Sequence, residues 1–397
     1  MKTKTKQVLY LSGAPRVSTR SDAEMAGPRA HVLGVIAGFE AAGFEVERFI
    51  VGDRLPRWWS GSGSEALLTA SVIRTLTADL ARIALGWLNG RRARKTSGEG
   101  WIYERFATLQ GLGRSLRSAR RPWIIETNGI IFAEAHRDRK SLILSGLARR
   151  RELKAYRDCD ILICISERLK EILVREGISE GKIVVVPNGV DVELFDPRRQ
   201  AARRWSSDYT IGSVGYLIEW QRLDLLISAV ARLRSAGIPV SAVIVGDGPE
   251  RANLEATAQA SGAADAIHFV GRVPADQVPG YIAGFDVGYS ATGATAGTGN
   301  YRSPLKLYEY MAMAKPVISS RCADARELVE EGRTGFFFED SVESVQEAIL
   351  RAHAARQRHE EMGALAREVI LRDHSWAARV RTIISEVESR LGEPIDP

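Results

Sequence analysis

Gln7 to Leu11 is a short apolar run closed by Gly13, a pattern that predicts a first strand and its turn. After a polar loop to Gly27-Pro28, Val32, Val35, Ile36 and Phe39 recur at helical spacing until Gly43. Phe44 to Val51 alternates and stops at Gly52-Asp53. Strand, helix and strand in this order predict a parallel sheet. Trp123–Glu126, Ile161–Ile165 and Lys182–Val186 read as further strands, separated by helices near 134–157 and 167–177. The rhythm breaks at Asp196-Pro197-Arg198-Arg199-Gln200, which reads as a linker. It restarts with Tyr209–Gly215, a helix near 222–236, and strands at Val240–Val245, Ala266–Val270, Phe285–Tyr289 and Pro316–Ser319. Helical patterns run from about 342 to the end, and no internal repeat appears.

Residues 56–121 interrupt this alternation. Leu68, Val72, Leu76, Leu80, Ile83 and Trp87 recur at helical spacing and run into Arg91-Arg92-Ala93-Arg94-Lys95. The pattern predicts a long amphipathic helix over 67–95 with a basic end. Two roles stay open for it: docking on anionic lipid, or packing as a core element whose basic tail is solvated.

Composition narrows the class. The chain has 397 residues, 45% hydrophobic and 26% charged, which excludes a disordered, fibrous or collagen-like chain and suggests more than one domain. No apolar run is long enough to span a bilayer. The basic start Met1–Lys6 is followed by an apolar stretch, Val8 to Leu11, too short for a signal peptide. Cys159, Cys164 and Cys322 lack the spacing of a disulfide framework or a zinc site. A reduced, cytoplasmic protein is the expectation, peripheral at the inner face of the membrane if the lipid role holds. The net charge of +6 is uneven: residues 1–200 hold 34 Lys/Arg against 23 Asp/Glu, and the remainder 21 against 26. The basic half contains no aromatic-rich stacking pattern, so nucleic acid is not the expected partner.

Four segments carry candidate chemistry. Val186-Pro187-Asn188-Gly189-Val190-Asp191 follows a strand and is a turn by itself. Ile244-Val245-Gly246-Asp247-Gly248-Pro249-Glu250 joins a strand to a helix, but Arg251 stands where a dinucleotide fingerprint needs glycine. That spacing excludes a nicotinamide-dependent oxidoreductase. Phe269-Val270-Gly271-Arg272-Val273-Pro274 ends another strand on a glycine that lets a flat ligand approach the backbone. Last, Gly297-Thr298-Gly299-Asn300-Tyr301-Arg302-Ser303-Pro304-Leu305-Lys306 leads into a helix, with Ser303 as expected N-cap and Pro304 in its first turn. Backbone N–H groups at such a start suit a diphosphate, Lys306 adds charge, and Glu309 stands further along for ribose hydroxyls.

In this order, the segments resemble the retaining GT4 glycosyltransferases. Gly332-x-Thr334-Gly335-Phe336 and Trp376 add to the likeness, as do Ala26-Gly27-Pro28-Arg29-Ala30-His31, Tyr103-Glu104-Arg105, Glu126-Thr127-Asn128-Gly129 and Cys159-Asp160 to Ser166 in the N-terminal half. The resemblance implies a GT-B fold: two Rossmann-like doubly wound α/β domains facing across a deep cleft, the last helix crossing back. The expected divisions are 1–198 for the acceptor, 199–375 for the nucleotide sugar, and 376–397 for the returning helix. By the same resemblance the nucleotide sugar meets Gly27, Gly215, Gly248, Gly271, Arg272, Val273, Tyr301, Ser303, Leu305, Leu307 and Glu309. Arg222, Lys306 and Asn128 are the expected catalytic residues, and Glu126, His31 and His136 the acceptor side. Trp58, Trp59 and Trp101 either line an acceptor surface or fill a core.

Four residues, at three places in the pattern, depart from the family. Tyr301 replaces the second carboxylate eight residues before Glu309. Tyr216 and Gln221 align with the Arg and Lys that neutralise the diphosphate, leaving Arg222 and Lys306 to supply the charge. Asn128 replaces an acceptor-side histidine and cannot act as a base. The chemistry implied is front-face transfer without a protein base. No cofactor is expected, and with no Asp-x-Asp at a strand end no metal either. A UDP sugar is the expected donor, with GDP-mannose as the alternative. A non-catalytic sugar-nucleotide or glycan-binding protein of the same fold is the reading from another class. The acceptor is left open between a soluble metabolite, a glycan and a lipid-linked sugar.

Overall fold

The computed structural model describes residues 6–21, 23, 27–55, 72–96, 100–138, 141–293, 301 and 303–392. Trp58, Trp59, the first residues of the 67–95 helix and most of the Gly297–Arg302 loop lie outside them. The chain divides into two compact units, residues 1–187 with 376–397, and residues 188–375.

In the first unit, six parallel strands form one sheet: β1 (Gln7–Ser12), β2 (Glu45–Ile50), β3 (Trp101–Arg105), β4 (Trp123–Thr127), β5 (Ile161–Cys164) and β6 (Ile183–Val185), in the order β2-β1-β3-β4-β5-β6. The order reverses between β1 and β3, the switch point at which open α/β sheets leave a crevice beyond their carboxyl ends. Two rows of side chains cross that point: Tyr10 beside Tyr103, and Ser12 beside Arg105, itself beside Glu126. Strand β3 falls in the stretch where alternation gave no signal, because all its residues but Arg105 are buried, Glu104 included. Glu104 accepts the Leu112 and Gly113 amides and the Trp123 indole N–H, so a carboxylate sits where the pattern would need an apolar residue. Trp101 is a core residue packed on Phe44.

Helix α1 (Gly27–Ala41) covers this sheet and is itself covered by the C-terminal helix Trp376–Leu391, so the returning helix belongs to the first unit. A Cβ at Gly34 would lie 2.3 Å from the Trp376 ring, and one at Gly38 would lie 2.5 Å from a Val380 methyl. Glycine at both positions, one turn apart, is what lets the two helices touch.

Helix α2 (Val72–Ala93) is amphipathic as its spacing implies, but it is turned inside out. Its buried residues are Thr75, Asp79, Gly86, Asn89 and Ala93, whereas Val72, Ile73, Leu76, Leu80, Trp87 and Leu88 are exposed. Of the described apolar positions from which the helix was read, Ile83 packs on the cluster around Leu109 and Leu142, while Val72, Leu76, Leu80 and Trp87 look outward, so the core role holds only for part of that face. Helices α3 (Ser145–Asp158) and α4 (Glu167–Arg175) complete the unit, α4 capped by the Ser166 hydroxyl. The expected helix at 134–157 begins only at Ser145, because residues 131–138 form separate turns whose Ile131 and Phe132 amides are taken by Glu152.

The second unit repeats the architecture with β7 (Tyr209–Val214), α5 (Leu223–Ser235), β8 (Val240–Val245), α6 (Arg251–Ala260), β9 (Ile267–Gly271), α7 (Val278–Ala283), β10 (Val287–Ser290), α8 (Leu305–Ala312), β11 (Val317–Ser320), α9 (Ala323–Leu328), β12 (Gly335–Phe338), α10 (Val342–Ala354) and α11 (His359–Val369). The strand order is β12-β11-β10-β7-β8-β9, all parallel, with its switch point between β7 and β10. Edge strand β12 has no counterpart in the expected elements: its Gly-Phe-Phe-Phe run is buried on both faces and does not alternate. The expected boundary in Asp196–Gln200 moves to Pro187/Asn188. Phe195 and Asp196 are buried in the second unit, where Arg367 donates to the Phe195 carbonyl at 2.8 Å and Val190 to the His374 carbonyl at 3.0 Å.

Gly34→Ala should destabilise the protein by about 1–3 kcal/mol, because the added methyl overlaps an indole that is itself packed. A fall in urea midpoint with an unchanged slope is the expected result.

Candidate functional site

In the second unit the ends of three adjacent strands converge. The Gly215 amide donates to the Val245 carbonyl at 2.9 Å, and the Gly246 amide to the Gly271 carbonyl at 2.8 Å. Gly246 has φ +133°, and a Cβ on it would lie 1.8 Å from the Gly215 carbonyl oxygen. No other residue fits there. Gly248 abuts the Leu217 backbone in the same way, and Gly215 and Gly271 take φ of +141° and +82°. The glycines read from the sequence thus form one backbone edge beside the switch point. Arg272 continues it as an exposed side chain, and Val273 is partly buried against the core around Leu307 and Tyr308.

Helix α8 is pinned to this edge by Tyr310, whose hydroxyl accepts the Val214 amide at 2.7 Å. The Lys306 side chain is buried and donates to Gln221 Oε1 at 3.2 Å. Burial pushes the Lys306 ammonium down to about 7, with the Glu309 carboxylate acting in the opposite direction. Loss of solvent pushes Glu309 up to about 7, with Lys306 opposing. Gln221 stands where the family pattern has a cation, so the structure puts the replacement charge against the residue it replaces. That pairing was invisible in the sequence, since 85 positions separate the two.

Several expected roles are corrected. Ser303 does not cap α8: the helix starts at Leu305, its N-cap position is Pro304, and the Ser303 hydroxyl accepts the Asn188 amide at 3.1 Å and lies 3.2 Å from the Tyr308 hydroxyl. Asn188 completes the brace by donating from its side chain to the Ser303 carbonyl at 2.8 Å. The Pro-Asn-Gly turn is therefore a structural clamp on the segment that leads into α8. Leu307 is fully buried and its amide is taken by Pro304, which leaves Leu305 and Lys306 as the first-turn donors. Tyr301 is buried in the position of the missing carboxylate. Arg222 does not join Lys306. It takes φ +45° before α5 and its guanidinium is forked onto Asp224, at 3.1 and 3.2 Å, and onto Asp340. Those carboxylates hold Arg222 well above the usual arginine range, Asp224 foremost.

In the first unit, His31 of α1 meets Glu126 at the end of β4, Nε2 to Oε1 2.7 Å, with both side chains buried. The Trp376 ring stands edge-on to His31 at 4.8 Å, and the Asn128 side-chain nitrogen lies 3.5 Å from His31 Nδ1. Burial works to raise Glu126, but His31 and Arg105 outweigh it and leave the carboxyl below its ordinary value. Around this pair the Tyr103 hydroxyl interacts with the Glu126 carboxylate, while the Tyr10 hydroxyl and the Asn128 side-chain oxygen are buried without a hydrogen-bond partner among the described residues. His136, expected on the acceptor side, is exposed and bonds to the Leu142 carbonyl at 2.9 Å, with no bond to His31 or Glu126. Gly27 is the first residue of α1, and Arg29 ties its helix to the Ser18 and Arg20 carbonyls. Asp53 holds the Ser18–Thr19 loop, a role no motif disclosed. Among the described residues, no three His, Cys, Asp or Glu stand together as metal ligands.

The architecture is shared by the Anabaena protein Alr3699/HepE, solved with UDP and glucose, at a TM-score of 0.67 and 18% identity over 97% of this chain and 100% of that one. Two doubly wound units of this kind make the GT-B fold. Residues 208–354 match the family model described as Glycosyl transferases group 1, and residues 101–194 match Glycosyltransferase Family 4. The chain is 26% identical over 258 residues, 63% of its length and 67% of the relative's, to a GDP-mannose-dependent alpha-(1-6)-phosphatidylinositol monomannoside mannosyltransferase of Mycolicibacterium smegmatis. With the enzyme of the same description from Mycobacterium tuberculosis it shares 30% over 200 residues, 48% of this chain and 52% of that one. The matched stretches thus span about two thirds and about half of these relatives. The chain belongs to the GT4 family of glycosyltransferases.

Asn188→Ala should cost about 1–3 kcal/mol of stability, because it leaves the buried Ser303 carbonyl without its donor. A lower melting temperature that Ser303→Ala lowers further in the double variant, because the Ser303 hydroxyl accepts a separate bond from the Asn188 amide, checks the clamp.

Proposed function

We propose that this protein transfers a hexose or N-acetylhexosamine from a nucleoside-diphosphate sugar to an acceptor hydroxyl, with retention at the anomeric carbon. The observation that carries the reading is Lys306 on Gln221, with Glu309 on the same helix, at the glycine edge of the second sheet. On this reading the diphosphate meets the Lys306 ammonium and the Leu305 and Lys306 amides. Glu309 accepts the ribose hydroxyls, and the Gly271 backbone with Arg272 and Val273 faces the base. The His31–Glu126 pair, with Asn128, serves the acceptor side. The bond from the anomeric carbon to the diphosphate breaks first. The acceptor oxygen then bonds to that carbon from the same face, and its proton passes to the departing phosphate oxygen. No protein base, cofactor or metal is invoked. Lys306 takes the cationic role, because Arg222 is committed to two aspartates.

UDP sugars are the main donor reading, supported at the level of fold by the Anabaena neighbour. GDP-mannose is the second, favoured by the donor that the mycobacterial relatives' names specify. Those names also specify a phosphatidylinositol-linked acceptor, which supports a lipid-linked acceptor and peripheral contact with an anionic membrane. A thermal-shift panel of UDP-glucose, UDP-N-acetylglucosamine and GDP-mannose identifies the base and sugar, and turnover with the stabilising donor separates an enzyme from a binding protein.

Lys306→Met should lower kcat/KM by about 100-fold, the effect of removing one charge-stabilising donor. It should leave the melting temperature unchanged or raised, because a buried charge gives way to an apolar side chain. Wild-type turnover in that variant sinks the assignment. Glu309 must be ionised to accept ribose hydroxyls and Lys306 protonated to meet the diphosphate, and burial brings both titrations near 7. Donor affinity should therefore peak near neutral pH. Glu309→Gln should flatten the acid limb and Lys306→Met the alkaline one.

A further inference from the structure

Helix α2 carries two seams of opposite character. Thr75, Asp79, Arg82, Gly86, Asn89 and Ala93 follow one another at alternating steps of four and three, the spacing with which a helix ordinarily presents its apolar stripe to a core. Here that stripe is polar or small, and it faces the protein. Asp79 is fully buried: one oxygen accepts the Ile143 and Leu144 amides at 2.8 and 3.0 Å, the other the Arg82 guanidinium at 2.6 Å. Arg82 also donates to the Ser141 carbonyl at 2.8 Å. At Gly86 the helix comes so close to the Leu109–Gln110 backbone that a Cβ would lie 3.0 Å from the Leu109 carbonyl oxygen. Both Asp79 oxygens and the Arg82 guanidinium are engaged, so the rotation of the helix is set by directional bonds and close backbone contact, with Ile83 packed beside them on the cluster around Leu109 and Leu142.

The opposite face is apolar and open. Ile73 is 75% exposed, Leu80 55% and Trp87 58%, with Leu76 between them on the same side. The Asp79 clasp carries a second apolar element beside it, since Ile143 and Leu147 are exposed immediately after the amides that it holds. Contiguous exposed apolar surface of this kind marks an interaction site. The charges around it choose the partner. Arg91 lies over the Trp87 ring at 3.9 Å, and Arg92, Arg94 and Lys95 follow, all exposed. Arg149 and Arg150 stand exposed just beyond Leu147. An apolar stripe bordered by an aromatic residue and a row of cations matches a bilayer that carries anionic headgroups: the side chains enter the acyl boundary and the cations meet phosphates. A protein partner would have to supply an equally long apolar strip edged with acidic residues.

We propose that α2, held apolar side outward by the Asp79–Arg82 clasp, is the element by which this protein docks on an anionic lipid surface. The proposal deepens the peripheral-membrane reading given above and rests on it, but it is independent of the donor chemistry.

The test is co-sedimentation of the full chain with vesicles of phosphatidylglycerol and phosphatidylcholine in equal amounts, against phosphatidylcholine alone, with tryptophan emission read in parallel. The expected result is binding to the anionic vesicles that salt weakens, with a blue shift of emission that Trp87→Phe removes. Ile73→Ser with Leu80→Ser, and separately Arg91→Gln with Arg94→Gln, should each lower vesicle partition by about tenfold or more. Melting temperature and nucleotide-sugar shift should stay unchanged in both, because these side chains are exposed. Wild-type partition in the Ile73/Leu80 variant overturns the proposal, as does vesicle binding without a Trp87 signal. Concentration-dependent dimers that this variant disperses overturn it in favour of a second copy of the chain, and a retained apolar stripe with no vesicle binding in favour of cover by residues 56–71. Loss of the nucleotide-sugar shift in the unaltered protein would strike at the donor reading and leave the docking surface standing.

Discussion

The second unit depends on how closely the ends of three neighbouring strands can approach. At the carboxyl ends of β7, β8 and β9 the chain turns at Gly215, Gly246 and Gly271, and carbonyl and amide groups of one turn bond directly to the next. The space left for a side chain at Gly246 is smaller than a carbon atom, so the edge consists of backbone alone. A bare edge next to a switch point presents oriented dipoles and room for a flat ligand. It also brings α8 close enough for Tyr310 to reach β7 and for Lys306 to reach Gln221. The electrostatics of the site follow from that approach, because the depth at which Lys306 and Glu309 are held is what draws both titrations toward neutrality.

The first unit solves a related problem with side chains. Its strand ends carry Tyr10, Ser12, Tyr103, Arg105 and Glu126 in two rows across the switch point. His31 and the Trp376 ring close over them from the helices above. Buried carboxylates recur as fasteners: Glu104 gathers the 112–113 turn, Glu152 the 131–132 turn, and Asp79 the 143–144 turn. Each accepts two consecutive backbone amides, so irregular segments are fixed by carboxylate acceptance of free amides, as at a capped helix start. In hydropathy such residues read as surface, which explains why this half of the chain was harder to parse than the other.

The strands and helices with clear periodicity were legible, and so were the glycine turns, because their conformation is a local property of a residue without a side chain. Family-like segments led to Lys306 and Glu309 on α8, the pair on which the proposed donor site rests. What stayed hidden has a common cause. The Ser303 hydroxyl looked like a helix cap because the hydrogen-bond preference is local, yet Asn188, far away in sequence, claims it. Arg222 looked available because its neighbour in sequence is a single aspartate, and the second, Asp340, arrives from 118 positions away. His136 shares a residue type with His31 and sits in the right half of the chain, but its own loop occupies it.

The sequence by itself determined which segments become strand and helix, that two doubly wound units follow one another, and where glycine must stand. These depend on spacing, backbone freedom and side-chain class, all of which act over a few residues. Only the tertiary structure decided where the first unit ends, which cations are free, and which way α2 faces. Periodicity reports that a helix has two faces without saying which is inside, since burial is a property of the pair of surfaces that meet. For α2 the polar seam won, because Asp79 and Arg82 find bonding partners on the protein, and its apolar seam was left to the outside.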